Sequence, residues 1–228
     1  MFPAVALVFA LSTVWDGVYT NEQAARGNDA YNANCAMCHR ADLGGRQGRA
    51  LVGSAFFESW GEDTLDSLFS VIRQRMPESR PGSLDEGTYL DIVAYILQRN
   101  EYPAGAASLT SESAKSIQVV GKNGPAPVPN FALVRVVGCL EEQSAGGWRL
   151  TRSGEPARTR DPAPSTGTEH DRSLATAPGE LAFELMDAYD EPKGHAGKRV
   201  EVKGLLMRGT PNKVNFSSLQ VLAPSCGP

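Results

Sequence analysis

Two cysteines three apart, with a histidine directly after the second, constrain this chain more than any other feature. They are Cys35, Cys38 and His39, within NANCAMCHRADLGG at residues 32–45. Three chemistries use such a spacing: a zinc clip, a redox dithiol and covalent attachment of haem. Each demands something different of the rest of the chain.

A zinc ribbon needs four Cys or His ligands, commonly as two pairs. No second pair exists: Cys139 and Cys226 have no metal-like neighbours, and His170 and His195 have no cysteine near them. These two histidines read as solvated loop residues. A redox dithiol sits at a strand-to-helix junction in a βαβ setting, whereas residues 22–34 read as a helix rich in small residues. Haem attachment accounts for all five positions. Cys35 and Cys38 would form the thioether links, and His39 would offer an imidazole to the iron. The opposite axial ligand should be a soft donor held in a downstream loop, and Met76 answers that description. It follows a helical stripe at residues 64–75, and Pro77 disfavours the helical region for it. Met37 lies between the cysteines and cannot reach the other face of the iron. Met186 and Met207 belong with strands.

A third helix opens near Ser83, where SLDE reads as a capping box with Glu86 three residues on. Its apolar face includes Tyr89, Ile92, Val93 and Ile96. The order helix, C-x-x-C-H, helix, methionine loop, helix resembles class I cytochrome c. RGNDAYNANCAMCHRADLGG, ALVGSAFFESW and MPESRPGSLDEGTYLDIVAYIL are most similar to the small cytochrome c domains found with bacterial quinoprotein dehydrogenases. The resemblance covers residues 24–100. It implies an all-α fold in which the helix around Gly27 and Tyr31 crosses the helix around Tyr95. It also implies that Leu51 and Trp60 line the haem. The family usually carries a proline just before the position of Leu51, and this chain has Ala50 there.

Beyond residue 104 the chain differs in character. Residues 105–129 are rich in Ala, Ser, Gly and Pro and read as a linker, with a docked strand in SIQVVG as the alternative. Residues 130–228 read as five strands: 131–140, 148–152, 181–188, 198–206 and 213–222. Residues 155–179 between the second and third are polar and proline-rich, and read as a loop or mobile insertion. The strand order is loosely similar to a small all-β OB-like barrel. Trp148 and Phe216 fit barrel packing better than base or sugar stacking.

Residues 2–11 form an apolar run too short to span a bilayer. Ala10 and Ser12 make a small-x-small cleavage pattern, so residues 1–12 read as a signal peptide and residues 13–104 as the haem domain. No other run is long enough for a membrane span. Export to the periplasm or beyond would place Cys139 and Cys226 in oxidising surroundings, where they are expected to pair. A net charge of -4 argues against a nucleic-acid partner. Arg40, Arg46, Arg49, Arg73, Arg75 and Arg80 cluster near the haem motif and Met76, and read as a basic rim.

No Ser-His-Asp grouping, phosphate loop or HExxH motif is present, and filled axial positions suit a carrier rather than a catalyst. The reading is therefore a protein with one covalent haem c that moves single electrons and is not itself an enzyme. Its expected partners are redox proteins, with a quinoprotein dehydrogenase as donor and a terminal oxidase or another cytochrome as acceptor. If Met76 did not ligate, an open iron would make it a haem sensor. A third reading is a binding module whose barrel captures a partner or a glycan.

Overall fold

The computed structural model describes residues 12–188 and 192–227. The expected signal peptide lies almost wholly outside them. The chain divides into two compact units, Met1–Ala126 and Pro127–Pro228. No helix among the described residues is long and apolar enough to cross a membrane.

The first unit is helical: α1 (Asn21–Asn34), α2 (Ala36–His39), α3 (Gly53–Trp60), α4 (Leu65–Arg75), α5 (Glu86–Arg99) and α6 (Ser111–Ala114). Side chains supply the first-turn acceptors that helices need. Thr20 caps α1, Thr64 caps α4 and Asp85 caps α5. The last corrects the expected start at Ser83. Asp85 accepts from the Thr88 amide at 3.0 Å, and Glu86 instead pairs with Arg73. Helices α1 and α5 cross closely. A methyl group on Gly27 would lie 1.8 Å from the Asp91 carbonyl oxygen, so only glycine admits this approach. Arg26 pairs with Asp91, and the Tyr31 and Tyr95 rings lie 5.4 Å apart at the same crossing.

The expected linker over residues 105–129 needs correction. Leu109, Ile117, Val119 and Val120 are buried in the first unit. Buried Gln23 holds the Leu109 backbone on both sides, accepting from its amide at 2.8 Å and donating to its carbonyl at 3.0 Å. Gln118 bridges to Thr13 and Thr64, the docked-strand alternative in short form. Apolar residues at 109, 117, 119 and 120 are too sparse for a helical stripe, which is why this segment reads as a connector in sequence.

The second unit contains β1 (Leu133–Glu142), β2 (Trp148–Ser153), the short β3 (Ala157–Arg158), α7 (Gly167–Ala175), β4 (Leu181–Met186), β5 (Arg199–Met207) and β6 (Asn212–Ala223). β1 pairs with β2, β2 with β4, β4 with β6, β6 with β5, and β5 again with β1. Among these pairings, that of β4 with β6 is parallel and the rest are antiparallel. The inward positions Val134, Val136, Leu140, Leu150, Phe183, Val200, Val202, Leu206 and Val214 form the core. Trp148 is buried within it and Phe216 packs against it, as expected.

Two further readings need correction. Residues 155–179 are not a featureless loop. They hold β3 and α7, and they cover Glu201 and Lys203, each only 1% exposed. His170 lies on α7, and it and His195 are half-buried rather than solvated. Cys139 and Cys226 form a disulfide with Cα atoms 5.6 Å apart.

Candidate functional site

Helix α1 runs straight into the cysteine pair. The Cys35 amide donates to the Tyr31 carbonyl at 2.7 Å, and the Cys38 and His39 amides both donate to the Cys35 carbonyl. That single turn puts the side chains of Cys35 and Cys38 on one face. Both thiols are free and half-buried. Burial, and then the neighbouring Cys38, push the Cys35 thiol up to about 11. A redox dithiol needs the opposite, a depressed thiol. Among the described residues no three His, Cys, Asp or Glu side chains are grouped to hold a metal ion.

His39 is held by the loop after it. Its Nδ1 lies 2.7 Å from the Arg49 carbonyl oxygen. A carbonyl only accepts, so Nδ1 carries the proton and Nε2 keeps its lone pair for a ligand. The absence of a proline at Ala50 therefore does not remove the backbone carbonyl offered to the histidine. The loop folds back because the Gly48 amide donates to the Cys38 carbonyl and the Leu51 amide to the Leu43 carbonyl. Gly48 lies against the imidazole, and a methyl group there would lie 2.4 Å from His39 Cε1. Leu43, fully buried with φ of 62°, anchors the loop. Nothing in the sequence pattern marks Leu43, since it stands alone among polar and glycine residues.

Met76 is fixed at both ends of its peptide unit. Its amide donates to the Ile72 carbonyl at 2.9 Å, and its carbonyl accepts from the Tyr89 hydroxyl at 2.7 Å. The sequence pattern marks Tyr89 only as part of an apolar face. Arg80 donates to Asn34 at 2.9 Å, which ties the loop after Met76 to the residue before Cys35. Cys35, Leu51 and Met76 all pack against the apolar cluster that includes Trp60, Leu68 and Tyr95. Around them Arg46, Arg49 and Arg75 are exposed. Arg40 pairs with Asp42, and Arg73 with Glu86.

Residues 22–96, about a third of the chain, match the model of the family described as cytochrome c oxidase, cbb3-type, subunit III. This stretch is a cytochrome c domain. The match implies haem c and redox partners. No curated protein matches the chain. Among solved structures, the sulfane dehydrogenase SoxCD from Paracoccus pantotrophus is similar at 20% identity and a TM-score of 0.38, over 55% of this chain and 71% of that one. The side chains suit haem c: two free thiols on one turn, an imidazole with its Nδ1 already engaged, and a thioether on the same cluster.

Proposed function

We propose that the chain is an exported c-type cytochrome with one haem, carrying single electrons between redox proteins. The observation that carries this reading is the His39 Nδ1 contact with the Arg49 carbonyl beside two free cysteines. Cys35 and Cys38 would hold the haem covalently, with His39 and Met76 as axial ligands and Leu51 and Trp60 in the pocket. When bound, haem c supplies a one-electron iron couple, and a Met/His pair sets it higher than two imidazoles would. The protein's part is to keep both donors in place, so that little rearranges as charge changes. The Arg49 carbonyl does so for His39, and the Tyr89 hydroxyl for the backbone of Met76. With Cys139 and Cys226 joined, no second cysteine pair is left for another haem.

The disulfide also supports export, because such links persist in oxidising compartments. The donor, a quinoprotein dehydrogenase, rests on the sequence resemblance. A terminal oxidase or another cytochrome as acceptor agrees with the description of the matching family. We read the second unit as an OB-like barrel, supported by strand pairings that return to β1.

The purified, matured protein should carry one haem per chain that acid-acetone does not extract. Its ferric spectrum should show a weak far-red band that Met76→Ala abolishes. Extractable haem would overturn the covalent assignment, and an unchanged band in the variant would overturn the axial one.

Arg75 and Arg46 are the better probes of docking, because Arg80 also holds Asn34. Reversing both to Glu should slow electron transfer with an acidic partner about ten-fold at low salt, and the difference should shrink as salt rises. Stopped-flow rates across an ionic-strength series measure this. Equal rates at every salt concentration would exclude the basic rim as the docking surface.

A further inference from the structure

The segment covering the outer face of β1 and β5 is held down by polar contacts. Residues 155–179 contribute no member to the second unit's apolar core. The one buried residue of α7 is Ser173. Leu174, beside it, is 45% exposed. What fixes the segment is a cluster of charges and hydroxyls that alternation along β5 would place in water.

Glu169 of α7 accepts from Lys203 at 2.6 Å, Thr159 at 2.6 Å and Ser165 at 3.0 Å, with Arg135 4.0 Å away. Glu201 accepts from the Ser173 hydroxyl and from the Ser165 amide. Arg135 donates to Ser173 at 2.8 Å. Arg199 donates to the carbonyls of Ser173, Leu174 and Thr176, at the end of α7 where a cation is favoured. Ser218 of β6 donates to the Pro162 carbonyl at 2.6 Å.

The two ends of the segment meet at the sheet. The Gly179 amide donates to the Arg152 carbonyl at 3.2 Å, and a methyl group on Gly179 would lie 2.9 Å from the Gly154 Cα. β3 stays paired with β1. Residues 160–178 can therefore lift without pulling a strand out of the sheet.

We propose that residues 160–178 form a flap, latched over Arg135, Glu201 and Lys203 by Glu169, that opens as one unit while the sheet stays folded. Lifting it rehydrates charges and hydroxyls and uncovers Val137 on the outer face of β1, but no member of the second unit's apolar cluster. Intramolecular hydrogen bonds exchanged for water contribute little each, and burying paired charges is itself costly, so the closed state lies only slightly below the open one. Contiguous segments with few apolar contacts are the ones that open locally.

Acid should weaken the latch. Burial disfavours the charged form of Glu169. Hydrogen bonds from Lys203, Thr159 and Ser165, with the Lys203 charge, outweigh that and hold its carboxyl below the ordinary glutamate value. Lys203 and Glu201 face it from β5, Arg135 from β1, and Arg172 and His170 share its own helix. A carboxylate lowered in the closed state stabilises that state above its ordinary value and loses the contribution as pH falls through the lowered one.

Hydrogen exchange of the full chain, corrected for intrinsic rates, tests this. Amides of 167–175 should exchange faster than those of β5 in the unaltered protein. Glu169→Gln should raise their exchange about ten-fold or more, the scale of one charged hydrogen bond, with β4 and β6 unchanged. In the unaltered protein the same amides should lose protection as pH drops below the ordinary glutamate range. Three results would overturn the flap: protection equal to β5, no change in Glu169→Gln, or equal loss across all the strands.

Discussion

Gly27→Ala should destabilise the first unit by about 2 kcal/mol or more, even though alanine is the better helix former. The propensity gain is about 1 kcal/mol. Against it stands a methyl group placed 1.8 Å from the Asp91 carbonyl oxygen, 2.5 Å from its carbonyl carbon and 2.9 Å from Tyr95 Cβ. The first two are backbone atoms of α5, so no rotamer change relieves the clash and the helices must separate. Overpacking of this kind costs roughly 1–3 kcal/mol, and occasionally more. Separation would also loosen Tyr31 from Tyr95 and Arg26 from Asp91. Gly87→Ala is the matched control. It lies in α5, and its methyl would meet only the Asp85 side chain, at 3.2 Å. That variant should be near neutral. Denaturant midpoints followed by helical circular dichroism compare the two, and equal midpoints would remove the crossing as the determinant.

The helix crossing shows where sequence reading succeeds and by what means. Periodicity marks α4 and α5 as amphipathic, because one face of each packs inward and the other meets water. It cannot say which helices meet. The pairing of α1 with α5 rests on resemblance to a family, since Gly27, Ala30 and Tyr31 make no apolar stripe. The attachment reading of Cys35, Cys38 and His39 is legible because that chemistry calls for two residue types, cysteine and histidine, at fixed spacing. Met76 is legible as a candidate ligand from its loop and its proline. The groups that hold them in place are not. Arg49 acts through its carbonyl, which every residue carries. Tyr89 looks like any other core aromatic until its hydroxyl finds the Met76 carbonyl. Leu43 is one apolar residue in a loop, with no period to reveal it.

In the second unit the five long strands are legible, and their cover is not. Alternation along β5 separates Val200, Val202 and Leu206 from Glu201 and Lys203, and the direction of each is as the pattern requires. The usual inference from direction to solvent fails, because residues 155–179 fold over that face. Their composition is polar since the surface they meet is polar, so composition alone resembles that of a free loop. Thr159, Ser165 and Ser173 are buried, yet each is a residue type that sequence reading assigns to the exterior.

Removing the disulfide should have the larger effect on the second unit. Cys139 lies near the end of β1, paired with Arg199 of β5, and Arg199 in turn pairs with Ala223 at the end of β6. The link therefore fastens the chain after the last strand to the first one, two strands away. It closes a loop with a sequence separation of 87. That loop holds β2 to β6 and the polar segment over β5, so the unfolded chain without the link gains freedom over nearly the whole unit. The chain-entropy model gives about 4 kcal/mol for a loop of this size, although calorimetric accounts assign part of the effect to enthalpy. Arg152 also anchors this end, donating to the Cys226 and Gly227 carbonyls from an exposed position, a contact worth far less. Cys139→Ala with Cys226→Ala should therefore lower protection of β5 and β6 amides by about three powers of ten, which is about 4 kcal/mol in exchange terms. Amides of α1 and α5 should keep theirs, because the link joins residues of the second unit alone. Mass spectrometry without reductant should first show the pair linked in the unaltered protein, with neither Cys139 nor Cys226 open to alkylation. Unchanged protection in the double variant, or two free thiols at the outset, would show that the β1–β6 closure stands without it.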